Sequence, residues 1–124
     1  RETADGYWSD VWMKKPFFCS TWVMRPTPGL MFSTAWSCDA SWPETKWCNE
    51  QFDQILAASK TETDFEKKKA MMWDLQELAQ SDGGMVVFAF PSNLDAHASN
   101  VHGVVEHMIA PFNGGRIAEQ AWLS

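Results

Sequence analysis

The stretch from Phe32 to Leu78 constrains the fold more than any other part of this chain. FSTAWSCDASWPETKWC sets two cysteines ten positions apart in an aromatic loop, and NEQFDQILAAS follows at once. Asn49 suits a helix N-cap, because its side chain can accept from an amide of the first turn. Phe52, Ile55, Leu56 and Ser59 then recur at the spacing that puts them on one helical face, which predicts a helix running to about Lys60. Thr63-Asp64-Phe65-Glu66 reads as a capping box for a second, longer helix. Its stripe of Phe65, Met72, Leu75, Leu78 and Ala79 is expected to face a core, and Gly83-Gly84 lets the backbone leave the helix.

Two apolar runs bracket this helical pair. FFCSTWVM, from Phe17 to Met24, is aromatic and β-branched and lies between Pro16 and Arg25-Pro26, which predicts a largely buried strand. MVVFAF, from Met85 to Phe90, shows no polar alternation and stops at Pro91, as expected of a strand covered on both faces. Strand, helices, strand implies a right-handed crossover between two parallel strands, hence an α/β fold. Ligands of such sheets gather beyond the carboxyl ends of the strands, here Trp22 to Arg25 and Phe90 to Asn93.

The flanks are plainer. Thr3 or Asp5 can cap a short helix whose apolar members Tyr7, Trp8, Val11 and Trp12 end near Lys14-Lys15-Pro16. Pro26, Pro28, Gly29 and Pro43 give residues 25–47 the chemistry of a long loop, of the kind that is functional or stapled. Beyond Asn93 the chain has scattered Val, Ile and Trp and a turn at Pro111-Phe112-Asn113-Gly114-Gly115. Such a tail is expected to complete a neighbouring body rather than to form a core of its own.

Composition narrows the function. The 124 residues fit one ordinary domain, and 10 Lys plus Arg against 16 Asp plus Glu give a net charge of -6, so there is no electrostatic footprint for nucleic acid. Lys67-Lys68-Lys69 follows Asp64 and Glu66 and reads as a solvated helix face. The longest apolar run, Met85 to Phe90, is far short of a membrane span. Eight Trp and eight Phe exceed ordinary usage; most are expected to pack, and some to line a site. Arg1-Glu2-Thr3-Ala4-Asp5 carries no targeting signature. No Gly-x-Ser-x-Gly elbow or phosphate loop occurs, and Cys19 has no identifiable base, so the chain does not read as an enzyme and no cofactor is implied. His97, His102 and His107 are spaced by five, which places successive rings on different helix faces and argues against a metal site.

Taken in order, the Trp at a strand end, the Pro-broken loop, Phe32-Ser33, the cysteine pair closing at Trp47-Cys48, Phe52-Asp53 with its aliphatic pair, Asp64 before basic residues, Gln76 and the apolar strand resemble a known pattern. It is the C-terminal region of extracellular solute-binding proteins of family 5, the peptide, opine and nickel group of ABC-transporter receptors. The resemblance implies part of a periplasmic-binding-protein type II lobe, with parallel strands and crossover helices. Residues 1–92 would belong to the second lobe and residues 93–124 would return to the first. It further implies a periplasmic or extracellular receptor, membrane-associated if a lipoprotein, whose partners are a small solute, an ABC permease and the remainder of the parent receptor chain.

In the peptide-binding members a Trp is followed three positions later by an Asp that pairs with the ligand's amino group. Here the stretch is Trp22-Val23-Met24-Arg25, so a base replaces the acid. The planar fork of Arg25 suits a carboxylate or phosphate, which points to an anionic solute such as an opine-like conjugate or a sugar acid; pairing with a carboxylate of the protein itself would satisfy it equally. Trp22, Arg25, Trp36 and Asn93 form the expected set of ligand contacts. The three cysteines allow three pairings. The resemblance selects Cys38 with Cys48, a link suited to an oxidising compartment, and leaves Cys19 as an inert buried thiol. A standalone structural or interaction domain, with aromatics serving self-association, is the alternative function.

Overall fold

The structure is a computed structural model that describes residues 3–108 and 110–124. The chain separates into two compact units, one comprising the segment up to Trp22 with Thr27–Val86, the other Val23–Pro26 with Val87–Ser124.

The first unit is helical. After a short helix α1 (Tyr7–Asp10) come α2 (Pro28–Ala35), α3 (Glu50–Thr61) and α4 (Phe65–Asp82). Helix α3 begins where the sequence places it, with the Asn49 side chain accepting from the Phe52 amide at 3.0 Å. Its partner α4 starts differently from the expected capping box. Asp64, not Thr63, is the N-cap, accepting from the Lys67 amide at 2.9 Å, while Glu62 takes the Asp64 amide at 2.7 Å. Asp64, one residue closer to the first turn, puts its carboxylate within reach of the Lys67 amide in place of the Thr63 hydroxyl. At the far end Gly84 adopts φ 70, a left-handed turn that only glycine enters without strain.

The core of this unit is small and aromatic. Phe32, Phe52, Leu56, Leu75 and Ala79 are buried together, with Trp36, Trp47, Ile55, Met72 and Leu78 packed around them. Phe52 meets Phe32 and Trp47 edge to face, at ring separations of 5.4 and 5.0 Å, the arrangement that aligns positive ring edges with negative faces. Of the expected α4 stripe, Leu75 and Ala79 are buried, whereas Phe65 is 73% exposed. The loop between the cysteines is stapled by a Cys38–Cys48 disulfide, and Asp53 of α3 holds its start through the Cys38 amide.

Four local expectations need correction. Helix α2 occupies part of the presumed loop, because Thr27 caps it by accepting from the Leu30 amide and Pro28 sits at the first helical position, where its missing N–H costs nothing. Helix α1 is shorter than expected, capped by Gly6, and the chain leaves the turns that follow it through Met13 at φ 57. Cys19 is a free thiol but exposed. Finally, Phe17–Met24 and Met85–Phe90 form no strand and join no ladder. Strands apolar on both faces need neighbours on both edges and cover on both sides. Among the described residues nothing supplies them, and Phe17 and Phe90 are 92% and 91% exposed.

The second unit is built on β1 (Val101–His102) and β2 (Trp122–Leu123), an antiparallel pair in which His102 faces and stacks on Trp122, with ring centroids 5.7 Å apart. Between them lie α5 (Pro111–Gly115) and α6 (Ile117–Gln120). The α5 turn is left-handed at Phe112, Asn113 and Gly114. Asn113 repays that strain: buried, its carboxamide accepts from the Val105 amide and donates to the Gly103 carbonyl and to Gln120 Oε1, all within 2.7–2.9 Å. No helix among the described residues is long and apolar enough to cross a membrane.

Candidate functional site: an indole-walled carboxylate

The stapled loop presents Trp42-Pro43-Glu44 as a tight turn. The Trp42 amide reaches back to the Thr34 carbonyl at 3.1 Å, the Lys46 amide closes on Pro43 at 2.9 Å, and Lys46 takes φ 54. This turn aims the Glu44 side chain at three donors that are distant in sequence. Oε1 accepts from Trp12 Nε1 at 2.5 Å and from Ser20 Oγ at 2.7 Å, and Oε2 accepts from Trp22 Nε1 at 2.9 Å. The Trp22 ring also lies 5.7 Å from that of Trp42. Tyr7 anchors the same segment through its hydroxyl, which donates to the Cys19 carbonyl at 2.5 Å. A carboxylate so bonded fixes the ring planes of Trp12 and Trp22, since charge-assisted hydrogen bonds are the stronger kind.

Trp22 is thus a positioned, half-buried indole. Trp36, also half-buried, packs edge to face on Phe32, and its Nε1 is buried with no hydrogen-bond partner among the described residues. The remaining two expected ligand contacts belong to the second unit. There the half-buried Arg25 donates from Nη1 to the Val23 carbonyl at 2.9 Å, and Asn93 is exposed. Sequence reasoning missed Glu44, Ser20, Trp12 and Trp42. The signal for them is the acid after Trp42-Pro43 in a stapled loop, which turn chemistry alone does not single out.

The arrangement gathers two indole N–H groups and a hydroxyl around one carboxylate and so orients the aromatic rings beside it. No group of three or more His, Cys, Asp or Glu among the described residues is placed to hold a metal ion.

Comparison with known proteins gives one relevant likeness. Over 97 residues, 78% of the chain, the sequence is 23% identical to the dipeptide-binding protein DppE of Bacillus subtilis (strain 168). The matched region makes up 18% of that protein, so the chain spans less than a fifth of its length. No protein-family model matches the chain, and no solved structure matches it. The chain is therefore distantly similar to part of a protein that binds dipeptides.

Proposed function

We propose that this chain is part of the substrate-binding component of an ABC importer, a periplasmic or extracellular receptor that captures a small anionic solute and delivers it to a membrane permease. The observation that carries this reading is the 97-residue similarity to a dipeptide-binding protein, spread over most of the chain. In this reading residues 1–92 belong to one lobe of a type II binding-protein fold and residues 93–124 complete the other. Phe17–Met24 and Met85–Phe90 find their strand partners in the rest of the parent receptor.

The solute class follows from Arg25. A guanidinium cannot attract the ammonium end of a peptide, but it presents a planar fork to a carboxylate or phosphate. Trp22, held by Glu44, and Trp36 are the aromatic contacts this reading assigns in the first unit, and Asn93 is the polar contact it assigns in the second. A peptide-like or opine-like acid or a sugar acid fits this chemistry. Calorimetric titration of the intact receptor tests it. Charge-assisted hydrogen bonds contribute about 1.5–3 kcal/mol, so Arg25→Ala should weaken the natural solute by roughly ten- to a hundredfold. Unchanged affinity would discard the anionic class while leaving the transport role standing; an intact parent protein that binds no solute and engages no permease would remove the role itself.

A further inference from the structure

From the distribution of charge and apolar surface in the first unit, we infer that a groove between α2, α3 and α4 binds an acyl-chain carboxylate. The groove has a volume of about 710 Å³, within the range of sites for small organic ligands. Leu56 and Met72 form its apolar interior, the first turn of α2 closes one side at Leu30, and the exposed rings of Phe65 and Trp73 flank it. Gly29 belongs to this wall, where a Cβ would meet the end of the Met72 side chain at 4.0 Å.

Charge decides the occupant. The chain has 16 acidic and 10 basic side chains, yet the groove is lined by Lys60, Lys68 and Lys69 and by no Asp or Glu. The nearest ion pair is that of Glu66 with Lys69 at 3.5 Å, both well exposed, and an exposed pair of this kind is easily exchanged for a ligand carboxylate. The lysines are also grouped. Lys60 lies in the last turn of α3 and Lys68 and Lys69 in the first turns of α4, and the three-residue link 62–64 brings these helix ends together. Met72, Trp73 and Gln76 continue along α4 away from that end. From Phe65 to Gln76 this face extends about 16 Å at the rise of an α-helix. A cationic end and an apolar body call for a ligand with one anionic head and a linear apolar tail. A second copy of the chain is the competing occupant of this face, and sedimentation distinguishes it.

Laurate, titrated below its micellar concentration into the 124-residue chain by calorimetry, is the direct test, with dodecanol as the uncharged counterpart of equal length. Saturable binding of laurate at one per chain is expected, with dodecanol weaker. Lys68→Glu combined with Lys69→Glu should weaken laurate by roughly tenfold and leave dodecanol unchanged, since the effect is electrostatic. These substitutions place acids at the start of α4, where the helix dipole favours them, so the fold is preserved and circular dichroism checks it. Met72→Glu should abolish binding of both. The proposal is overturned if wild-type chain shows no saturable heat with laurate, if laurate and dodecanol bind alike and ignore the charge reversal, or if the face is occupied by a second copy that laurate does not displace in sedimentation. Solute capture at Trp22 and Arg25 does not enter this test.

Discussion

Glu44 ties together groups from three separate places in the sequence, at Trp12, Ser20 and Trp22, and this gives a single side chain leverage over the entry segment of the first unit. Replacing it with Ala removes the acceptor from two indole N–H groups at once. Because the carboxylate is only half-buried, water can partly replace it, and the cost should be about 1–2 kcal/mol rather than the full penalty of an orphaned buried pair. Urea unfolding followed by tryptophan fluorescence measures this. The folded-state emission of the variant should also shift to the red, as Trp12 and Trp22 lose their anchor. Ser20→Ala, which removes one donor and leaves the carboxylate its two indoles, should cost less than half as much. Equal losses for the two variants would mean that Glu44 does not organise the cluster.

At the scale of elements, the α3–α4 pair was legible because capping and periodicity agreed there. Asn49 caps as read, and Phe52, Leu56 and Ser59 are buried on one face. The errors arose where two local signals competed. Thr63 and Asp64 both suit an N-cap, and only the observed bond from the Lys67 amide distinguishes them. Asp64→Ala should therefore destabilise the unit by about 1 kcal/mol, whereas Thr63→Ala should stay within about 0.5 kcal/mol of the parent in the same unfolding assay. At Thr27-Pro28 the sequence signal for a helix start is the same as that for a break, since Pro and Gly punctuate loops and also open helices. The Glu44 cluster was hidden for a different reason: nothing in the sequence brings Trp12, Trp22 and Glu44 together until the loop is folded back by its staple. That staple closes an 11-residue ring, and the chain-entropy account assigns it about 3 kcal/mol. Adding a reductant should lower the urea midpoint correspondingly, and Cys38→Ala with Cys48→Ala should reproduce the shift and make it insensitive to reductant.

Across the molecule, order is concentrated in α3 and α4, where Phe52 and Leu75 are fully buried, while Phe17–Met24 and Met85–Phe90 carry apolar side chains into solvent without a hydrogen-bonded ladder. Amide exchange reads this contrast directly, because protection follows hydrogen bonding and burial. In the 124-residue chain the amides of residues 54–59 and 71–79 should be the slowest, and those of 86–90 among the fastest. The same measurement bears on the proposed receptor. An apolar hexamer such as MVVFAF gains stability only when both faces are covered and both edges are paired, so a parent chain that supplies those neighbours should turn it from the fastest-exchanging segment into one of the slowest. The amides of 18–23 should change with it, since the reading makes both segments strands of one parallel sheet. Helices α3 and α4 already own their hydrogen bonds and should change far less. Slow exchange confined to the helices in the intact parent, with 86–90 still fast, would remove the parallel-strand architecture and with it the placement of Trp22 and Arg25 at strand ends.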